Sequence, residues 1–149
     1  KVIINLVAGT RLDVKSYFEE NMGVLKLKKE IGRGINIVFA LDKRTYFSEF
    51  SDILHKTDIL WTKPSELSFY SALGLALIIA PPVGAHENYN KVWLQHYGSG
   101  FVQESPEYTM DWLYYWLEDG RFAEAAFDGF LEAPNMGTYN IEKEIFKKR

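Results

Sequence analysis

Two short stretches of this sequence combine residue types that can do chemistry. The first is Thr62-Lys63-Pro64-Ser65-Glu66-Leu67-Ser68, where an extended apolar run gives way to a helical pattern. The first N–H groups of a helix lack intrahelical partners and its dipole is positive there, so this position favours a phosphate. Ser65 and Ser68 add hydroxyl donors and Lys63 adds charge. A plainer reading is open too: Ser65 caps the helix and Glu66 is a first-turn acid favoured by the dipole.

The second stretch is Pro81-Pro82-Val83-Gly84-Ala85-His86-Glu87-Asn88-Tyr89-Asn90. A stiff turn and a glycine deliver Glu87 and Asn90 onto one helix face, three residues apart. A carboxylate and an amide so placed can hydrogen-bond sugar hydroxyls, and Glu87 can equally serve as a dipole-favoured first-turn acid.

Other chemistries find no footing. The chain has no cysteine, which excludes disulfides, thiolate nucleophiles and cysteine-zinc sites, and this suits a cytoplasmic protein. His55, His86 and His96 lack the paired spacing of zinc ligands, so no metal and no other cofactor is expected. No Gly-x-Ser-x-Gly elbow or Walker-type phosphate loop occurs. With a formal net charge of −3 the sequence lacks the basic footprint of a nucleic-acid binder. Lys143, Lys147, Lys148 and Arg149 read as a solvated helix end. The longest apolar run, Leu73 to Val83, is too short for a membrane span.

The elements that must position these loops follow from periodicity. Val2 to Gly9 reads as a buried strand, and Asp13 to Lys29 as helix interrupted at Gly23. Ile35 to Ala40 reads as a second strand. A helix from Tyr46 to His55 follows, with Phe47, Phe50, Ile53 and Leu54 at core spacing. Asp58 to Thr62 is a strand, Ser65 to Leu73 a helix ended by Gly74, and Leu75 to Ala80 a strand. His86 to Tyr97 is a helix ended by Gly98, with a short strand at Gly100 to Gln103. From Pro106 the pattern is helical. Trp112, Leu113, Trp116 and Leu117 form one apolar stripe; Phe122, Ala126, Phe127, Phe130 and Leu131 form another.

Alternation of strands and helices through short loops predicts an α/β fold, a Rossmann-like doubly wound parallel sheet with helices on both faces and a helical C-terminal tail. Residues 1–105 read as the Rossmann-like core and 106–149 as helices packing on the same domain. Because the sequence opens on Lys1, it reads as the C-terminal piece of a longer protein.

Asp58-Ile59-Leu60-Trp61-Thr62-Lys63-Pro64-Ser65 through Gly74-Leu75-Ala76-Leu77-Ile78-Ile79-Ala80-Pro81, followed by Glu87 and Asn90, resembles the donor domain of GT-B glycosyltransferases. The similarity is to the lipid-II-forming N-acetylglucosaminyltransferase and monogalactosyldiacylglycerol synthase type, and it covers roughly Tyr46 to Gly100. It implies a nucleoside-diphosphate sugar as ligand, a UDP-sugar first among them, and a partner acceptor domain upstream that supplies the catalytic base. Backbone near Phe47 would meet the base. Lys63, Ser65, Glu66, Leu67 and Ser68 would hold the diphosphate, and Gly84, His86, Glu87 and Asn90 would face the sugar. No catalytic residue is assigned within the chain. Ser65-Glu66 stand where that family has paired glycines, Ser71 where it has a ribose-gripping glutamate, and Ala76 where it has a proline. Loss of one charged hydrogen bond at Ser71 costs about 1.5–3 kcal/mol of binding. Alternatives on the same scaffold are a binding or interaction domain without transferase activity, with Tyr108 to Trp116 as an interaction surface, and a nucleotide-sugar epimerase.

Overall fold

Apolar β-branched runs bounded by glycine, proline and short polar turns become parallel strands here, and the amphipathic segments between them become helices. The computed structural model describes residues 2–147. In chain order the elements are β1 (Ile4–Gly9), α1 (Leu12–Val24), β2 (Ile35–Phe39), α2 (Lys43–Leu54), β3 (Ile59–Thr62) and α3 (Leu67–Ala72). β4 (Ala76–Ile79), α4 (Ala85–His96), β5 (Gly100–Val102), α5 (Thr109–Glu118), α6 (Arg121–Glu132) and α7 (Gly137–Ile145) complete the chain. Short 3-10 turns lie at Lys28–Glu30 and Pro106–Tyr108. The chain is thus mixed α/β and Rossmann-like, with parallel strands flanked by helices and a helical C-terminal tail. It divides into two compact units, Lys1–Lys56 and Thr57–Arg149.

In the first unit β1 pairs in parallel with β2, Ile4 opposite Ile35 and Asn5 opposite Asn36, with a shift in register between Val7 and Gly9. The strand expected to be buried at Val2 to Gly9 is only partly so: Ala8 is buried, while Ile3, Ile4 and Val7 are exposed. In a two-stranded sheet both strands are edges, so β1 has a strand neighbour on one side only. α1 runs through Gly23 and stops at Val24, and Lys26, at φ 57°, turns the chain away from helix. α2 begins three residues before the expected Tyr46 because Asp42 caps it, accepting the Thr45 N–H at 3.0 Å. That backbone bond holds the Asp42 carboxyl below the usual carboxylate range. Phe47, expected in the core, is exposed. The buried side of α2 is formed instead by Tyr46, Phe50, Ile53 and Leu54, all half-buried. On a helix Phe47 lies about 100° around from Tyr46 and off that side.

In the second unit β4 lies between β3 and β5, all parallel, with Ile59 opposite Ala76 and Leu77 opposite Gly100. Every residue of β4 is 0–1% exposed, as expected for a strand covered on both faces. Ala76 and Ile78 join Trp112 and Trp116 of α5 and Phe122 and Ala125 of α6 in one apolar cluster. Leu94 of α4 closes on the opposite side: a methyl added at Gly100 would fall 2.4 Å from Leu94 Cδ2 and 3.1 Å from Leu77 Cβ. Gly74 ends α3 at φ 76°, a left-handed conformation that a β-carbon disfavours, and its N–H bonds back to Ser71 O at 2.9 Å.

The C-terminal helices depart from expectation in which side they bury. On α5 the stripe is right for Trp112 and Trp116, which are core rather than an interaction surface, but Leu117 is exposed. On α6 the buried residues are Phe122, Ala125 and Gly129; Phe127, Phe130 and Leu131 are exposed. The reason is steric. A β-carbon at Gly129 would lie 2.8 Å from Ser71 Oγ, 2.9 Å from Ser71 O and 3.0 Å from Ser99 Cβ. The helix therefore turns its small residues inward where backbones approach most closely. α7 buries none of its residues. Of the expected basic end, Lys143 and Lys147 are exposed, whereas Lys148 and Arg149 lie outside the described residues.

Candidate functional site

A cavity of about 320 Å³ in the second unit lies between the start of α3, the middle of α4 and Pro134 just beyond α6. It is lined by Ser65, Leu67 and Ser68 on one side and by Asn90 and Trp93 on another. The sequence folds this way because Pro64, buried behind β3, ends the strand, and because α4 clamps the loop that follows. Asn90 Nδ2 donates to Pro64 O at 2.8 Å and to Ser65 O at 3.4 Å. The two stretches singled out by residue chemistry are thus joined by a direct hydrogen bond, with Asn90 part-buried between them.

The individual residues play mixed parts. Ser65 does not cap α3. The N-cap is Glu66, whose side chain makes no capping bond, and the Ser65 hydroxyl donates to Glu66 Oε2 instead. That bond takes the hydroxyl from the backbone and sets a carboxylate at the mouth of the loop. Ser68 and Lys63 are exposed. Leu67 is 1% exposed, so its side chain serves the core. α3 is six residues long, which gives it a weaker dipole than a long helix.

Glu87 is 9% exposed, and its Oε2 accepts the Val83 N–H at 2.6 Å. This is close to the capping-box arrangement, in which an acid in the first turn reaches back to an unpaired donor. Its carboxylate is therefore engaged in holding the Pro81–Gly84 turn. His86 packs over that turn as well: a β-carbon at Gly84 would meet its ring at 3.0 Å. Neither Gly84, His86 nor Glu87 lines the cavity, and Asn90 does. Phe47 belongs to the first unit, where it is exposed beside Tyr46 with ring centroids 5.4 Å apart. Ser71, at the position the resemblance equates with a ribose-gripping acid, is fully buried against α6 and its hydroxyl has no partner. No ligand can reach it there.

Two lining residues escaped the sequence reading. Trp93 stands three residues beyond Asn90, so helical spacing alone places it on the same side of α4. Pro134 carries no local signal, since only the course of α6 brings it to the cavity. Among the described residues, no group of three or more His, Cys, Asp or Glu gathers into a metal site, and no helix is long and apolar enough to cross a membrane.

A family model described as a domain of unknown function (DUF6938) matches residues 3–147. The chain belongs to that family. The match takes in both compact units and every residue that lines the cavity. No curated protein and no solved structure matches the chain.

Proposed function

We propose that the unit of residues 57–149 binds a nucleoside-diphosphate sugar, a UDP-sugar, and serves as the donor-binding part of a GT-B-type glycosyltransferase whose acceptor domain lies elsewhere. The observation that carries this reading is the cavity that joins Ser65, Leu67 and Ser68 to Asn90 and Trp93. Its volume lies at the small end of the roughly 300–1,000 Å³ range of ligand pockets, enough for the glycosyl-phosphate portion with the nucleoside extending outward. The Ser68 hydroxyl can meet a phosphate oxygen and the Asn90 side-chain carbonyl can accept from a sugar hydroxyl, and an indole supplies an apolar face for a sugar or base. The unit's part in transfer would be to position the donor and stabilise charge on the departing diphosphate.

Glu66 places negative charge near the diphosphate and Ser71 offers no grip on a ribose, so binding in the range of about 0.1–1 mM is expected rather than tighter. A second reading, a binding domain without transferase activity, is favoured by the commitment of the Glu87 carboxylate to Val83. Turnover of a bound donor by the full-length protein separates the two.

Calorimetric titration of the chain with UDP, UDP-N-acetylglucosamine and UDP-galactose tests the proposal. Saturable binding that Ser68→Trp abolishes by filling the cavity is the expected result. Ser68 is exposed, so that variant keeps its fold. Absence of binding by all three ligands at several times about 1 mM, or binding indifferent to Ser68→Trp, would sink the assignment.

A further inference from the structure

The turn that joins α1 to β2 in the first unit carries charges and exposed apolar side chains that the donor reading leaves unused. From Asn21 to Leu41 the chain has four cations, Lys26, Lys28, Lys29 and Arg33, and a single acid, Glu30. The whole chain has a net charge of −3, so this segment runs against the overall sign. All four cations are exposed and Glu30 is half-buried. Among the described residues none of the four makes an ion pair. Set between them, Val24 is 79% exposed, Leu25 60% and Ile31 40%.

The backbone of the turn sharpens the point. α1 ends in a Schellman motif: the Leu27 N–H bonds to Met22 O at 2.9 Å and the Lys26 N–H to Gly23 O at 3.1 Å. The left-handed position of that motif, at φ 57°, is held by Lys26. Glycine is its usual occupant, because a β-carbon is disfavoured there, so the lysine works against the turn's own preference. Lys28 has a local use. A β-carbon at Gly23 would fall 3.1 Å from its Cε and 3.5 Å from its Nζ, so its ammonium lies against the negative end of α1. Lys26, Lys29 and Arg33 make neither ion pair nor side-chain hydrogen bond among the described residues. Three unpaired cations select an anion, and their aliphatic neighbours decide which kind. Free phosphate would leave Val24, Leu25 and Ile31 in water. Single-stranded nucleic acid binds through stacking on aromatic rings, and none occurs from Asn21 to Val38. A phospholipid surface answers both sets, with headgroup phosphates for the cations and the acyl boundary for the aliphatic side chains.

We propose that this turn seats the first unit on an anionic membrane surface, with Lys26, Lys29 and Arg33 on headgroup phosphates and Val24, Leu25 and Ile31 in the headgroup–acyl boundary. The test is co-sedimentation of the whole chain with vesicles of phosphatidylcholine alone and of phosphatidylcholine mixed with phosphatidylglycerol. Binding to the mixed vesicles that falls as salt is raised, with none to the neutral ones, is expected. Each cation near such a surface strengthens binding about fivefold. Lys26→Gly should therefore weaken vesicle binding about fivefold while the fold stays at least as stable in urea, a split that a purely structural lysine would not produce. Replacing Lys26, Lys29 and Arg33 together by Gln should weaken it on the order of a hundredfold. Leu25→Ser should weaken it too, without changing its salt dependence. The proposal is overturned by equal binding to both kinds of vesicle, by no binding to the mixed vesicles at low salt, by a triple variant or a Leu25→Ser variant that binds as the parent does, or by polyuridylate binding the chain more tightly than the mixed vesicles.

Discussion

Substituting Gly129→Ala places a methyl where Ser71 Oγ, Ser71 O and Ser99 Cβ already stand at 2.8, 2.9 and 3.0 Å. The hydroxyl can rotate away but the carbonyl belongs to the α3 backbone, so α6 must move off α3. Overpacking of this kind costs about 1–3 kcal/mol, while replacing a helical glycine by alanine returns about 1 kcal/mol. A net loss of about 0–2 kcal/mol is expected, up to on the order of 10 °C in midpoint for a unit of this size. Urea unfolding followed by tryptophan fluorescence isolates the effect, because the four tryptophans, Trp61, Trp93, Trp112 and Trp116, all belong to the second unit. Gly23→Ala in α1 is the control. Its methyl would meet only the flexible end of Lys28, at 3.1 Å, so helix propensity prevails and the first unit gains about 0.5–1 kcal/mol by circular dichroism. If Gly129→Ala gained stability as Gly23→Ala does, the close approach of α6 to α3 would be wrong.

Two further outcomes follow from the same bonds. Glu87→Ala leaves the Val83 N–H without its acceptor and should cost about 1–3 kcal/mol in urea unfolding, whereas Glu87→Gln keeps an acceptor oxygen and should cost less; equal losses would show that the carboxylate does not hold the turn. The Asp42 carboxyl is held low by the Thr45 N–H. Its contribution is therefore fully present above the unfolded value of about 3.9 and is lost as pH falls through the lower folded one. Hydrogen exchange in α2, measured from about pH 6 down to about pH 2, should lose protection over that interval in the parent and change less in Asp42→Asn. Superimposable curves would exclude the cap as the cause.

The lesson for the site lies in how α4 meets the loop after β3. Ser65, Leu67, Ser68 and Asn90 were identifiable from residue type and spacing, because a serine-rich turn entering a helix and an amide one helical turn from a glycine loop are local patterns. Whether Glu87 faces a ligand or its own turn was not identifiable, since both uses call for an acid in the first turn. The decision was made by the orientation of Val83, whose N–H points at the Glu87 carboxylate. Ser71 illustrates the same limit. Its helical position was legible, but its burial comes from an α6 glycine almost 60 residues later in the chain.

By itself, the sequence determined the order and type of the strands and helices, the parallel α/β class, and the turn positions at Gly74 and Gly98, because these follow from periodicity and backbone freedom over a few residues. Only the tertiary structure decided which sides of α2 and α6 are buried, that β4 rather than β1 is the strand sheathed on both faces, and that Trp93 and Pro134 complete a cavity. Those outcomes depend on how closely backbones distant in sequence approach, and on which of two equally apolar sides then fits. Burial rewards apolar area without regard to direction. The choice between sides falls to steric fit at residues such as Gly129, Ser71 and Ser99, whose proximity no local pattern records.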